Sequence, residues 1–133
     1  MKILQPDGWD PPKGYSNGIS VEGPGRTIYV AGQVAWNAKQ EMVGVGDFAR
    51  QFEQALSNVL EVVKTGGGRP EHIVRLTIYV LSTDAYMAAI KAVGAAYREI
   101  IGRNFPAMAL VQVAGLLEAD ALIEIEATAF VPA

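Results

Sequence analysis

The chain contains no cysteine and a single histidine, His72. The first absence removes disulfides, thiolate zinc sites and a cysteine nucleophile, and the second removes any multi-histidine metal site. No metal and no other cofactor is therefore expected. An excess of charge is also missing, since 11 basic and 14 acidic residues give a net charge of −3 with the basic residues scattered, which is no footprint for nucleic acid. No polybasic segment or very long apolar run suggests a membrane. The opening Met1–Trp9 lacks the apolar run of a signal peptide, so a cytoplasmic protein is expected. Internal repeats, linkers and low-complexity segments are likewise absent.

What is present is ample apolar material, 50% of 133 residues, enough for the core of one domain spanning residues 1–133. Two late segments carry the clearest pattern. Phe105–Val113 and Leu122–Phe130 both alternate with period two, as strands with two unlike faces do. In the first, Ala107, Ala109, Val111 and Val113 oppose Met108, Leu110 and Gln112; in the second, Ile123, Ile125, Ala127 and Ala129 oppose Glu124, Glu126 and Thr128. If the two strands pair, the small apolar faces seat helices and the other faces bring Met108, Leu110 and Glu124 together. That second face, left uncovered by a single helical layer, asks for a partner.

The remaining elements follow in order. Residues 1–14 read as an irregular lead-in after at most one short strand. Tyr15–Val21 and Thr27–Ala35 read as a hairpin across Glu22-Gly-Pro-Gly-Arg26, with Gly32 marking a bulge or a close approach to the backbone. Trp36–Gly46 is a loop in which Trp36 packs. Asp47 caps a helix to about Thr65, stopped by Gly66-Gly67-Gly68, which lacks the Lys-Ser/Thr of a phosphate-binding loop. His72 lies in a turn as a surface or packing residue. A strand over Val74–Leu81 precedes a second helix, started by Ser82 or Asp84 and running to about Ile101, with Met87, Ile90, Val93, Tyr97 and Ile100 on its buried side. Gly94 inside it costs about 1 kcal/mol relative to alanine, which suggests a close approach to the sheet or to another subunit. The order β-β-α-β-α-β-β, with two helices on one face of a mixed sheet, is an α+β architecture.

Several motifs in this order resemble the RidA/YjgF family of reactive-intermediate deaminases, also labelled endoribonuclease L-PSP. They are Gly14-Tyr-Ser-Asn-Gly18, Val30-Ala-Gly-Gln33, Ala55-Leu-Ser-Asn-Val59, Ile73-Val-Arg-Leu-Thr-Ile-Tyr-Val80, Phe105-Pro-Ala107 and Leu122-Ile-Glu-Ile-Glu-Ala127. The resemblance implies a chorismate-mutase-like fold assembled as a homotrimer, with small-molecule clefts between adjacent subunits. In the deaminating members, an arginine two residues after the proline of Phe-Pro-Ala holds the substrate carboxylate, and a glutamate on the last strand positions water. The substrates are 2-imino or 2-amino-acrylate intermediates, hydrolysed to 2-keto acids and ammonia.

Carried onto this chain, the resemblance makes Glu124 the catalytic carboxylate, the other reading being a structural carboxylate bonded to backbone amides at a subunit junction. It makes Tyr15 an aromatic wall, where interface packing is the other reading, and an enzyme would use backbone groups near Ala31 and Gly32 to hold the ligand. The arginine position is Met108, a cysteine position is Leu110, and a helix position often held by asparagine is Lys91, which can supply a substitute cation or be a solvated lysine. Methionine cannot grip a carboxylate as a guanidinium fork does. The expected function is an imine, enamine or amino-muconate-like hydrolase that is poor on 2-imino acids. The alternative is a non-catalytic metabolite-binding or chaperone-like trimer. Ribonuclease action finds no support in a chain without a histidine pair or a basic groove.

Overall fold

A computed structural model describes residues 1–133. The main sheet has four strands, β3 (Gly25–Gln33), β4 (Ile73–Val80), β5 (Ala107–Gln112) and β6 (Ile123–Pro132), in the spatial order β3-β6-β4-β5. β6 runs antiparallel to both neighbours, and β4 runs parallel to β5. Parallel partners need a crossover rather than a tight turn. Here the crossover is helical, α2 (Thr83–Ala88) followed by α3 (Ile90–Ile100), while α1 (Phe48–Thr65) connects β3 to β4 around the inserted β6. Three helices and a mixed sheet make the α+β fold, and no helix is long and apolar enough to cross a membrane.

α1 forms where the sequence places it. Phe48, Phe52, Ala55, Leu56, Val59 and Val63 recur at three- and four-residue steps and are all buried. The Asp47 carboxylate caps the helix by accepting from the Arg50 N–H at 3.1 Å. At the other end Gly67 takes a left-handed φ of 85°, and a Cβ on Gly68 would lie 2.7 Å from Val63 Cγ1. This stop sits tightly against its neighbours. His72 has its own local task, its Nδ1 accepting from the Arg69 N–H at 3.0 Å in the turn before β4.

The region after β4 differs from the expected single helix. Ser82 is the cap, accepting from the Ala85 N–H at 3.0 Å, but the helix breaks at Ala89, whose N–H is shared between the carbonyls of Ala85 and Tyr86. α2 buries no residue, and Met87 and Ile90, expected in the core, are 60% and 41% exposed. Only Val93 and Tyr97 of α3 are buried. Gly94 does not approach the sheet: the single atom near its Cβ position is Arg98 Nη1, 3.4 Å away.

The expected hairpin is also absent. β2 (Gly18–Ser20) pairs with β1 (Lys2–Leu4) in a separate two-stranded sheet, not with β3. Ser16 instead bridges Ala107, its N–H donating to the Pro106 carbonyl at 3.1 Å and its hydroxyl to the Phe105 carbonyl. The turn-like Glu22–Arg26 therefore connects two sheets. Gly32 does lie in the bulge, between Val30 and Gln33, where the β3–β6 register shifts.

β5 and β6 are not neighbours, because β4 lies between them. The register aligns Leu76 with both Met108 and Ala127, and Ile78 with both Leu110 and Ile125. Met108 and Leu110 thus share the helix-covered face, where both pack against the core. The open face receives Ala107, Ala109 and Val111 alongside Glu124 and Glu126. For β6 the expected phase holds, and for β5 it is inverted. Two larger side chains fill the space beneath α2 and α3, where the shallow packing of those helices leaves room.

One buried amide joins the layers. Gln51 of α1 is fully buried; its Nε2 donates to the carbonyls of Gly44 at 3.1 Å and Asp120 at 2.9 Å, and its Oε1 accepts from the Leu122 N–H at 2.8 Å. It fixes the loops leading into α1 and into β6. Gln51→Leu keeps comparable bulk but leaves the Asp120 carbonyl and the Leu122 N–H without this partner, the Gly44 carbonyl keeping the Asp47 N–H, and an unsatisfied group costs about 1–3 kcal/mol where it is buried. Urea denaturation should show a loss of at least about 2 kcal/mol at an unchanged m-value. A loss below roughly 1 kcal/mol would show that water replaces the amide.

Candidate functional site

The expected site residues divide between two places. Tyr15, Met108 and Leu110 line a half-open cavity of about 730 Å³ on the helix side of the sheet. Glu124 and Gly32 meet on the opposite face. Within one chain, therefore, Met108 and Leu110 are not brought to Glu124.

The cavity exists because α2 and α3 stand away from the edge strand β5. Met108 and Leu110 form its floor, and Ile90, Val93 and Tyr97 belong to its helical side. Tyr97 stacks on Phe105 with ring centroids 5.9 Å apart and planes 7° from parallel. Its hydroxyl donates to the Asn104 carbonyl, and burial pushes its pKa well above the ordinary tyrosine value, so it remains neutral. The bonds from Ser16 to Phe105 and Pro106 hold the preceding residue, Tyr15, at the cavity rim, where it is 41% exposed. Tyr15 is positioned by a strap onto the start of β5.

On the open face the Glu124 carboxylate lies against the Gly32 backbone, so closely that a Cβ at residue 32 would stand 2.7 Å from Glu124 Cδ. A side chain at residue 32 would push that carboxylate away. The bulge therefore serves a close approach as well as a bend. The Ala31 carbonyl accepts from Gln33 Nε2 at 3.1 Å. Beside this pair, Tyr79 Oη donates to Glu126 Oε1 at 2.7 Å, and that bond raises the Tyr79 pKa, assisted by desolvation and by the charges of Glu126 and Glu124, with Arg75 opposing. Tyr79 and Glu126 satisfy each other. Glu124 is the carboxylate of this face turned toward the bulge.

Lys91 is exposed on α3 and does not line the cavity, whereas Lys13 and Arg98 do. Arg98 shares a stripe with Met87, Ile90 and Gly94, at three- and four-residue steps, and all four line the cavity. A second unanticipated residue is Asn58, whose Nδ2 donates to the carbonyls of Val34 at 3.1 Å and Trp36 at 2.8 Å. With Gln54, which bonds the Trp36 carbonyl at 3.2 Å, it holds the segment after the bulge on α1. Trp36 is half-buried at the start of that loop, its backbone bridged to Met42.

Comparison with known proteins agrees with this architecture. The family model described as Endoribonuclease L-PSP matches residues 8–131. The chain is 32% identical to human 2-iminobutanoate/2-iminopropanoate deaminase over 115 residues, covering 86% of this chain and 78% of that one. It is 30% identical over 116 residues to a RutC family protein of Pyrococcus horikoshii, covering 87% of this chain and 86% of that one. Among solved structures, a Rid family protein of unknown function from Yersinia pestis superposes with a TM-score of 0.82 at 36% identity, covering 96% of each chain. The YjgF gene product of E. coli gives 0.65 at 32% identity, covering 86% of each. The motif order, the split sheet with its helical crossovers, and these likenesses together establish that the chain belongs to the RidA/YjgF family, the family of the endoribonuclease L-PSP model.

Proposed function

We propose that the chain forms a homotrimer in which the cavity of one subunit faces the Glu124–Gly32 pair of the next, and that the completed cleft hydrolyses an imine, enamine or amino-muconate-like small molecule. The observation that carries this reading is the separation of the two half-sites onto opposite faces of one sheet. A second subunit is the simplest way to bring them together, and a two-sided sheet with an uncovered face suits such an assembly. The human relative's name, 2-iminobutanoate/2-iminopropanoate deaminase, supplies the reaction class.

In this reading Glu124 orients a water molecule and accepts its proton as the oxygen adds to the C=N carbon. The tetrahedral adduct then expels ammonia, the nitrogen having taken up a proton, and a carbonyl compound remains. Tyr15 forms one wall, and backbone groups at Ala31 and Gly32 border the ligand. Met108 contributes shape and no charge, so short 2-imino acids lose the fork that would fix their carboxylate. A misplacement of about 1 Å can cost on the order of a hundredfold in rate. Met108 also favours a second reading, a trimer that binds a metabolite or acts as a chaperone-like protein without turnover.

Light scattering at micromolar concentration should give three times the 14.2 kDa chain mass. A monodisperse monomer would remove both the trimer and the shared cleft.

The chemical reading is tested by restoring the fork. Wild-type protein should hydrolyse iminopyruvate poorly, Met108→Arg should raise the rate by at least about tenfold, and adding Glu124→Ala should abolish the gain. An amino-acid oxidase supplies the imine, and semicarbazide traps what remains. No gain in a folded, trimeric Met108→Arg protein would favour the binding reading.

A further inference from the structure

We infer that Arg98, assisted by Lys13, makes the cavity a seat for an organic acid with a bulky apolar body, aromatic or branched, with the carboxylate held at the helical rim. The inference rests on the proposal that this cleft takes a small molecule, and it adds the chemical class and the anchoring residue.

The charge of the lining is one-sided. Of its sixteen residues, eleven are hydrophobic, and the charged ones are Lys13 and Arg98, with no acidic side chain among them. Neither cation is engaged inside the chain: the two ion pairs are Arg50–Glu53 and Arg69–Glu71. An apolar space with unpaired positive charge at its edge is complementary to an apolar body with one anionic end.

The helix is shaped for this placement. Arg98 stands four residues after Gly94, and its Nη1 is 3.4 Å from the point a Cβ at residue 94 would occupy. The guanidinium thus lies back along α3 over the glycine, directed toward the cavity, where a long side chain at residue 94 would compete for the same space. Gly94 weakens the helix by about 1 kcal/mol relative to alanine and opens this path.

Volume selects the ligand's body. One chain's half of the cleft, about 730 Å³ before a neighbouring subunit closes it, falls in the range of roughly 300–1,000 Å³ typical of pockets that enclose a drug-sized molecule. A three- or four-carbon acid would leave much of it to water. The Phe105–Tyr97 stack and the Met108 and Leu110 floor offer contact to a ring or a branched chain.

Calorimetric titration with 3-phenylpropanoate and with its uncharged analogue 3-phenylpropanamide tests the assignment on the intact wild-type protein, on R98Q and on R98K. Arg98 is exposed, and circular dichroism verifies that each variant is folded. Wild type should bind the acid at least about tenfold more tightly than the amide, as a charge-assisted hydrogen bond provides. R98Q should erase most of that preference with amide binding unchanged, and R98K should retain part of it. Equal binding of acid and amide, no binding of either, or an acid affinity unaltered in R98Q would overturn the assignment. The preference requires no turnover. A wild-type protein that shows it without hydrolysing any imine therefore supports this anchor while counting against the catalytic reading alone.

Discussion

The position of β4 between β6 and β5 is the constraint on which the rest depends. Its residues are paired on both sides, so each row of side chains crosses three strands: Ala127, Leu76 and Met108 in one, Ile125, Ile78 and Leu110 in the next. These rows carry the helices. The alternate rows, Glu126 with Thr77 and Ala109, and Glu124 with Tyr79 and Val111, face away. A slip of one residue in either pairing would exchange the two sets and expose the apolar one, so the register is strongly specified. Met108 and Glu124 are consequently fixed on opposite faces before any question of chemistry arises.

This constraint separates what could be read in the sequence from what could not. Period two identified β5 and β6, and period 3.6 with an Asp47 cap identified α1, because those signals are local. The choice of face for β5 was not local. Ala107, Ala109 and Val111 looked suited to a helix seat, yet the space beneath α2 and α3 needed the volume of Met108 and Leu110. The hairpin failed for a related reason: Glu22-Gly-Pro-Gly-Arg26 has turn chemistry, but the partner of β2 is Lys2–Leu4, and Ser16 is bonded to Phe105, 89 residues away. Ala89 carries no glycine or proline signal to announce the break between α2 and α3.

The site was legible to the extent that its residues carry their reason with them. Gly32 announced a bulge or a close approach, and the Glu124 carboxylate meets it there. Tyr15 and Met108 were marked by the motifs around them. The polar residues that position the site were silent, since Gln51 and Asn58 on a helix read as ordinary amides until their partners, the carbonyls and amide of distant loops, are known. Arg98 was hidden differently. Its spacing from Gly94, Ile90 and Met87 was visible, but the cavity that gives the spacing meaning arises from the shallow packing of α2 and α3.

Met108 and Arg98 together imply a particular arrangement of cost. A guanidinium at residue 108 would stand in the helix-covered row beside Leu76, half-buried and so losing part of its hydration. Methionine continues that row as apolar surface and removes the penalty. A cation on the rim at residue 98 stays in water until a ligand arrives, so the unliganded protein is not destabilised, but its attraction is weakened by solvent and by salt. Affinity must then draw more on apolar burial, at roughly 25 cal/mol per Å² removed from water. On the proposed reading, a methionine floor that gives a small acid no grip would raise the return from a larger one, and the size of the ligand and the place of its anchor would both follow from one position in the floor of the cavity.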